Sequence, residues 1–144
     1  MADTVSHPGF LEKRYGLDLR SLALLRIGLA LVILADLFTR MGDLVAHYTD
    51  AGVLPRHAVN EILPDGYWSL HLISGQAWVQ ALIFLVAVIL ALALLVGYKT
   101  RLATIASWAL MVSLHNRNPA LIFAADDVLR AVLFWAMFLP LGAL

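Results

Sequence analysis

Cysteine is absent from the chain, which removes disulfides, thiolate metal ligands and cysteine nucleophiles from consideration. Charge is scarce as well: Lys, Arg, Asp and Glu make up 14% of the residues, against about 25% in soluble domains. Ten basic residues stand against ten acidic ones. The basic excess that a nucleic-acid surface needs is therefore missing, and no nucleic-acid partner is expected. There is no phosphate-binding loop, no dinucleotide fingerprint and no defensible Ser/His/Asp arrangement. No cleavable signal is expected either. Residues 1–20 are polar and of mixed charge, and the apolar run from Leu22 is too long for a signal core and has no small-residue cleavage site after it.

What fills the chain instead is apolar. Hydrophobic residues account for 62% of it, against about 45–50% in soluble domains, and the mean hydropathy is +0.84. A chain of 144 residues cannot hide that much apolar surface inside itself. The expected fold class is all-α: a polytopic membrane protein, a bundle of four transmembrane helices. About 20 apolar residues at 1.5 Å rise cross a hydrocarbon core. Continuous apolar runs rather than alternation argue for helices over barrel strands.

Residues 1–18 read as a polar cytoplasmic N-terminal tail and 19–144 as the transmembrane domain. Helices are expected near 19–41, 77–97, 102–118 and 121–140, with Asp18 or Ser21 capping the first. Trp78 and Tyr98 bracket the second span about 30 Å apart, as interfacial aromatics do. The third ends by Pro119, and Pro140 and Gly142 end the fourth. The loop 42–76 carries turn-prone pieces, a short helix starting at Pro55 and reaching Leu63, and Tyr67 and Trp68, which put it on the membrane surface. Gly28 and Ala35 are expected at a close helix–helix approach. Basic residues set the orientation. Lys13, Arg14, Arg20, Lys99 and Arg101 outnumber Arg40, Arg56 and Arg117, which puts both termini in the cytoplasm and the loop outside.

Ionisable groups at membrane depth are costly, so each is a candidate for function. Arg26, Asp36 and Arg40 lie within an arc of about 80° on the first helix. His115, Asn116, Arg117, Asp126, Asp127 and Arg130 form the densest group. Asp126 and Asp127 are at i, i+4 and i, i+3 spacing to Arg130, so either can pair with it on one helix face. Two readings follow. One is a self-satisfied structural network that sets helix packing. The other is a polar pocket near the outer surface, completed by Asp36, that binds an anionic or quinone-like headgroup or relays protons. His47, His57, His71 and His115 fall on the same outer side, but their spacings match no metal motif and no metal is expected.

Several stretches resemble one membrane family. They are Leu24-Leu25-Arg26-Ile27-Gly28 with Asp36, then Tyr48-Thr49-Asp50-Ala51-Gly52-Val53-Leu54-Pro55-Arg56, then Gly97-Tyr98-Lys99-Thr100-Arg101, and His115-Asn116-Arg117-Asn118 followed by Asp126-Asp127 and Leu129-Arg130. From about Leu19 to Gly142 the chain resembles the horizontally transferred transmembrane domain (HTTM) family, whose eukaryotic relatives include the vitamin K-dependent gamma-carboxylase. The resemblance implies a multi-helix membrane module. In the carboxylase branch it implies oxidation of a reduced quinone coupled to carboxylation of glutamate. The carboxylase has a functional histidine near the start of its fourth helix, where this chain has Asp126, and a catalytic lysine in a later membrane segment. The expectation is therefore a non-catalytic membrane module, or the N-terminal part of a larger protein, in the cell membrane. The alternative is a membrane enzyme acting on a lipid or quinone. No cofactor is expected beyond such a quinone or lipid. The expected partners are the bilayer and, beyond it, further helices of a longer chain, a partner membrane protein or a second copy.

Overall fold

A computed structural model of the chain describes residues 19–64 and 66–142. The tail at 1–18, with Asp18, lies outside the described residues. The fold is all-helical among those described, with no strand. Four longer helices follow one another: α1 (Leu19–Met41), α4 (Ala77–Val96), α5 (Thr100–Arg117) and α6 (Ala124–Ala136). Two short helices, α2 (Leu44–Tyr48) and α3 (Arg56–Ile62), and a 3-10 turn at Leu70–Leu72 break up the loop between α1 and α4. α1 packs on α4, α4 on α5, and α5 on α6.

Two of these helices, α1 and α4, are long and apolar enough to cross a membrane. Only 33% and 28% of their most apolar windows are buried, the reverse of what a core helix in a soluble protein shows. On α1 the inward side is Leu22, Leu29, Ala30, Ile33 and Leu37; on α4 it is Gln80, Phe84, Ala87, Ala91 and Leu94, a helical i, i+4, i+7 recurrence. Outward stand Leu24, Val32 and Phe38 on α1, and Leu85, Ile89 and Val96 on α4. The expected small-residue contact is elsewhere. Gly28 and Ala35 face outward, and Ala30, Ala87 and Ala91 are the small residues inside.

α5 and α6 depart from the expected spans. Ser21, offered as a cap, is inside α1. α5 begins at Thr100, directly after the turn at Gly97-Tyr98-Lys99. Gly97 takes a left-handed φ of +84°, and the N–H of Tyr98 reaches back to the Ala93 carbonyl, closing α4 as a glycine cap does. α5 buries polar side chains as well as apolar ones: Thr104, Ser107, Ser113, His115, Asn116 and Arg117 are all withdrawn from solvent. α6 starts three residues later than expected, because Pro119 makes the 3-10 turn Pro119–Leu121 first. It stops at Ala136, where successive i to i−3 bonds from Met137, Phe138 and Leu139 tighten the chain ahead of Pro140.

Candidate functional site

The polar cluster begins on the last turns of α1. Arg40 Nε donates to both carboxylate oxygens of Asp36, at 2.8 and 2.9 Å, one helical turn back. Its Nη2 reaches across to Oδ1 of Asp126 at 2.8 Å, and its Nη1 donates to the Tyr48 hydroxyl at 3.2 Å. One guanidinium thus ties α1 to α2 and α6. Planar donors in a fixed fork suit this bridging role.

Asp126 is positioned by its own helix. It sits in the first turn of α6, where Oδ2 accepts from the Phe123 backbone N–H at 2.8 Å. An acidic residue there satisfies an otherwise open donor and meets the positive end of the helix dipole. The next residue, Asp127, is rotated outward by about 100°. It pairs with Arg130 on the exposed side of α6, its side chain 61% exposed. Of the two pairings the spacing allows, the i, i+3 one forms. Arg130 takes Asp127, while Asp126 turns to Arg40 on α1.

Behind Asp126 lies His115, with a side chain at 0% exposure and Nε2 3.6 Å from Asp126 Oδ1. Neither ring nitrogen has a hydrogen-bond partner among the described residues. Asp36, His115 and Asp126 each bring a donor atom to one spot, all within 4.8 Å of one another. In front of the carboxylates opens a cleft of about 460 Å³, lined by Asp36, Arg40, Asp43, Tyr48, Phe123 and Asp126 among others. Burial pushes the Tyr48 hydroxyl above its usual range, against the opposing pull of Arg40, so it enters the cleft as a neutral phenol.

The remaining candidates do other work. Arg117 is fully buried and donates to the carbonyls of Leu54, at 2.9 Å, and Thr49, at 3.3 Å. Asn116 donates to the Trp68 carbonyl and Asn118 to that of His47. Three consecutive side chains on the end of α5 therefore hold three parts of the loop. His71 adds a fourth tie, with Nδ1 2.8 Å from Ser113 Oγ. Burial, aided by the Arg117 charge, pushes the His71 pKa down to about 4. On the loop's outer edge the hydrogen bonds from Arg56 hold the Asp50 carboxyl below its usual range. Arg26 stands at the opposite end, where its guanidinium lies against the Gly97 turn.

Of the nine residues singled out in the sequence, Asp36, Arg40, His115 and Asp126 converge. Asn116 and Arg117 turn to the loop, Asp127 and Arg130 pair outside, and Arg26 is remote. Tyr48 and Phe123 were not anticipated as site residues; Tyr48 belongs to a stretch that carried the family resemblance, while Phe123 had no sequence signal at all. Comparison of the chain with protein families, curated proteins and solved structures found no match.

Proposed function

We propose that the chain is a multi-pass membrane protein of the HTTM type, a bundle of four spanning helices whose outer face carries a pocket for the polar head of a lipid-soluble molecule. The outward apolar faces of α1 and α4 support the membrane reading, since soluble chains rarely leave such surface uncovered. α5 is less apolar than α1 and α4 because it carries polar groups, and these point inward, where Asn116 and Arg117 meet carbonyls of the loop. At 18 residues it reaches about 27 Å, close to the hydrocarbon thickness. The basic turn at Lys99 and Arg101 favours the cytoplasmic side for the end opposite the loop.

The observation that carries the binding reading is the cleft beside Arg40. Its carboxylates, guanidinium and phenol sit next to an exposed aromatic, Phe123, at 71% exposure. Polar groups converging in a partly apolar concavity are the usual form of a small-molecule site. Arg40 is already engaged by two carboxylates, and Asp43 adds a third at the rim. The excess negative charge favours a hydroxyl- or amine-bearing head over an anionic one. Asp36 and Asp126 are both paired with Arg40, so the reading is binding.

The test is ligand retention. Ala125 lines the cleft without joining the ion pairs, so Ala125→Trp fills the space and leaves the network alone. Chain extracted from membranes in mild detergent is expected to carry one lipid or quinone species enriched over the bulk extract by mass spectrometry, and Ala125→Trp is expected to lose it. An unenriched lipid profile in the wild type, or retention unchanged in Ala125→Trp, overturns the reading.

A further inference from the structure

We infer that Asp36, His115 and Asp126 form a binding site for one divalent first-row transition-metal ion at the base of the cleft. The inference uses the same cleft but needs no lipid ligand.

The first ground is geometry. Three helices each supply one donor, and the three lie within 4.8 Å of one another. An ion bound at about 2.0–2.2 Å sets its ligands roughly 3–3.5 Å apart. His115 Nε2 and Asp126 Oδ1, at 3.6 Å, already stand near that separation. Asp36 closes the triangle with a movement on the order of 1 Å, within the reach of a side-chain adjustment.

The second ground is His115 itself. It is 1% exposed, and both ring nitrogens lack a partner among the described residues. A buried polar group is ordinarily satisfied, so an orphan imidazole aimed at two carboxylates calls for an occupant. Imidazole with carboxylates is the donor mixture that borderline ions such as Zn²⁺, Fe²⁺, Co²⁺ and Mn²⁺ accept.

The third ground is charge. Asp36 and Asp126 against Arg40 leave one formal negative charge in the cluster, and Asp43 adds another at the rim. A divalent ion brings that set to neutrality, which an apolar surrounding favours. Arg40 does not have to leave. A carboxylate offers about four lone-pair sites, so Asp36 and Asp126 can each ligate an ion and still accept from the guanidinium. Arg40 then orients the ligands from behind, as outer-shell partners of metal sites do. The cleft side of the ion stays open to water or a ligand head.

The test is direct. Full-length chain carrying no polyhistidine tag is purified in detergent, stripped with a chelator and titrated with Co²⁺, followed by equilibrium dialysis and by the visible ligand-field spectrum. One Co²⁺ per chain is expected, with the spectrum of nitrogen and oxygen ligation, displaced by Zn²⁺. His115→Ala should weaken binding at least 10-fold, while Asp127→Asn, outside the cluster, should bind as the wild type does. Absence of saturable Co²⁺ binding in the wild type overturns the inference, as does unchanged binding in His115→Ala. If His115→Ala does not fold, His115→Gln replaces it, and the wild-type stoichiometry decides in any case. Metal binding without lipid retention, or the converse, separates this inference from the headgroup reading.

Discussion

Arg40 and Arg117 are both guanidiniums withdrawn from solvent at the same end of the helices, and their surroundings differ in kind. Arg40 faces two carboxylates and a phenol on three elements, beside an open cleft. Arg117 is fully enclosed, and among the described residues no carboxylate lies within ion-pair distance; it holds only the carbonyls of Leu54 and Thr49. The contrast teaches how to separate site from scaffold when both use the same residue. A charge bound to backbone carbonyls fixes a loop in place and has nothing left to exchange. A charge bound to carboxylates beside open space belongs to a set that a ligand or ion can rearrange.

The sharpest way to break the contrast is to remove each arginine in turn. Arg40→Met leaves Asp36 and Asp126 facing each other without a counter-ion. It is expected to lose about 3–5 kcal/mol in a detergent melt, the usual cost of orphaning a buried ion pair. Adding Asp126→Asn to it should restore part of that loss, since the repulsion goes with the second charge. Arg117→Met should cost less, about 2–3 kcal/mol, because two carbonyls lose charged donors while a costly buried charge is also relieved. Its signature is local: limited trypsin digestion should open the loop at Arg56, which in the wild type is tied to Asp50 and to the Ile73 carbonyl. If Arg40→Met opens the loop and Arg117→Met does not, the division of labour is wrong.

A pH series sharpens the scaffold side. His71 has its pKa lowered from 6.5 to about 4 by burial, so the folded chain keeps it neutral. Its contribution is complete above about pH 6.5 and is lost as pH falls towards 4, because the unfolded chain takes the proton first. Melts at pH 7 and pH 5 should differ by about 1–2 kcal/mol from this group, and His71→Gln should flatten that part of the slope. A slope untouched by His71→Gln would remove His71 from the account. The smallest effect belongs to the outer pair. Arg130 and Asp127 side chains are 26% and 61% exposed, so Arg130→Leu should change the melt by about 1 kcal/mol or less.

How much of this was legible varies by feature. The long apolar runs named α1 and α4 to within a residue, because a 20-residue run has few alternatives. The start and end of α6 were not legible, because the 3-10 turns on either side of it depend on how the chain leaves Pro119 and approaches Pro140. The carboxylates and Arg40 were visible as candidates, and the i, i+4 spacing offered the Asp36–Arg40 pair, but which aspartate of α6 meets Arg40 was not legible. Local i, i+3 and i, i+4 spacing offers Arg130 to both aspartates, and only the rotation of α6 about its axis decides that Asp126 meets an arginine 86 residues away. The convergence of Asp36, His115 and Asp126 has no spacing signature for the same reason: each comes from a different helix. The Arg117–Asn118 ties to loop carbonyls leave no mark either, since any residue type supplies the acceptor.

The measurement that bears most directly on a membrane bundle with its pocket at one face is site-directed labelling in sealed vesicles. The chain has no native cysteine to confuse it. Single cysteines replace Glu61 on α3, Ala125 beside the cleft and Lys99 in the basic turn, all three exposed. An impermeant maleimide is expected to reach Glu61→Cys and Ala125→Cys from the same side and Lys99→Cys only from the other. Labelling of all three from one side would contradict the account.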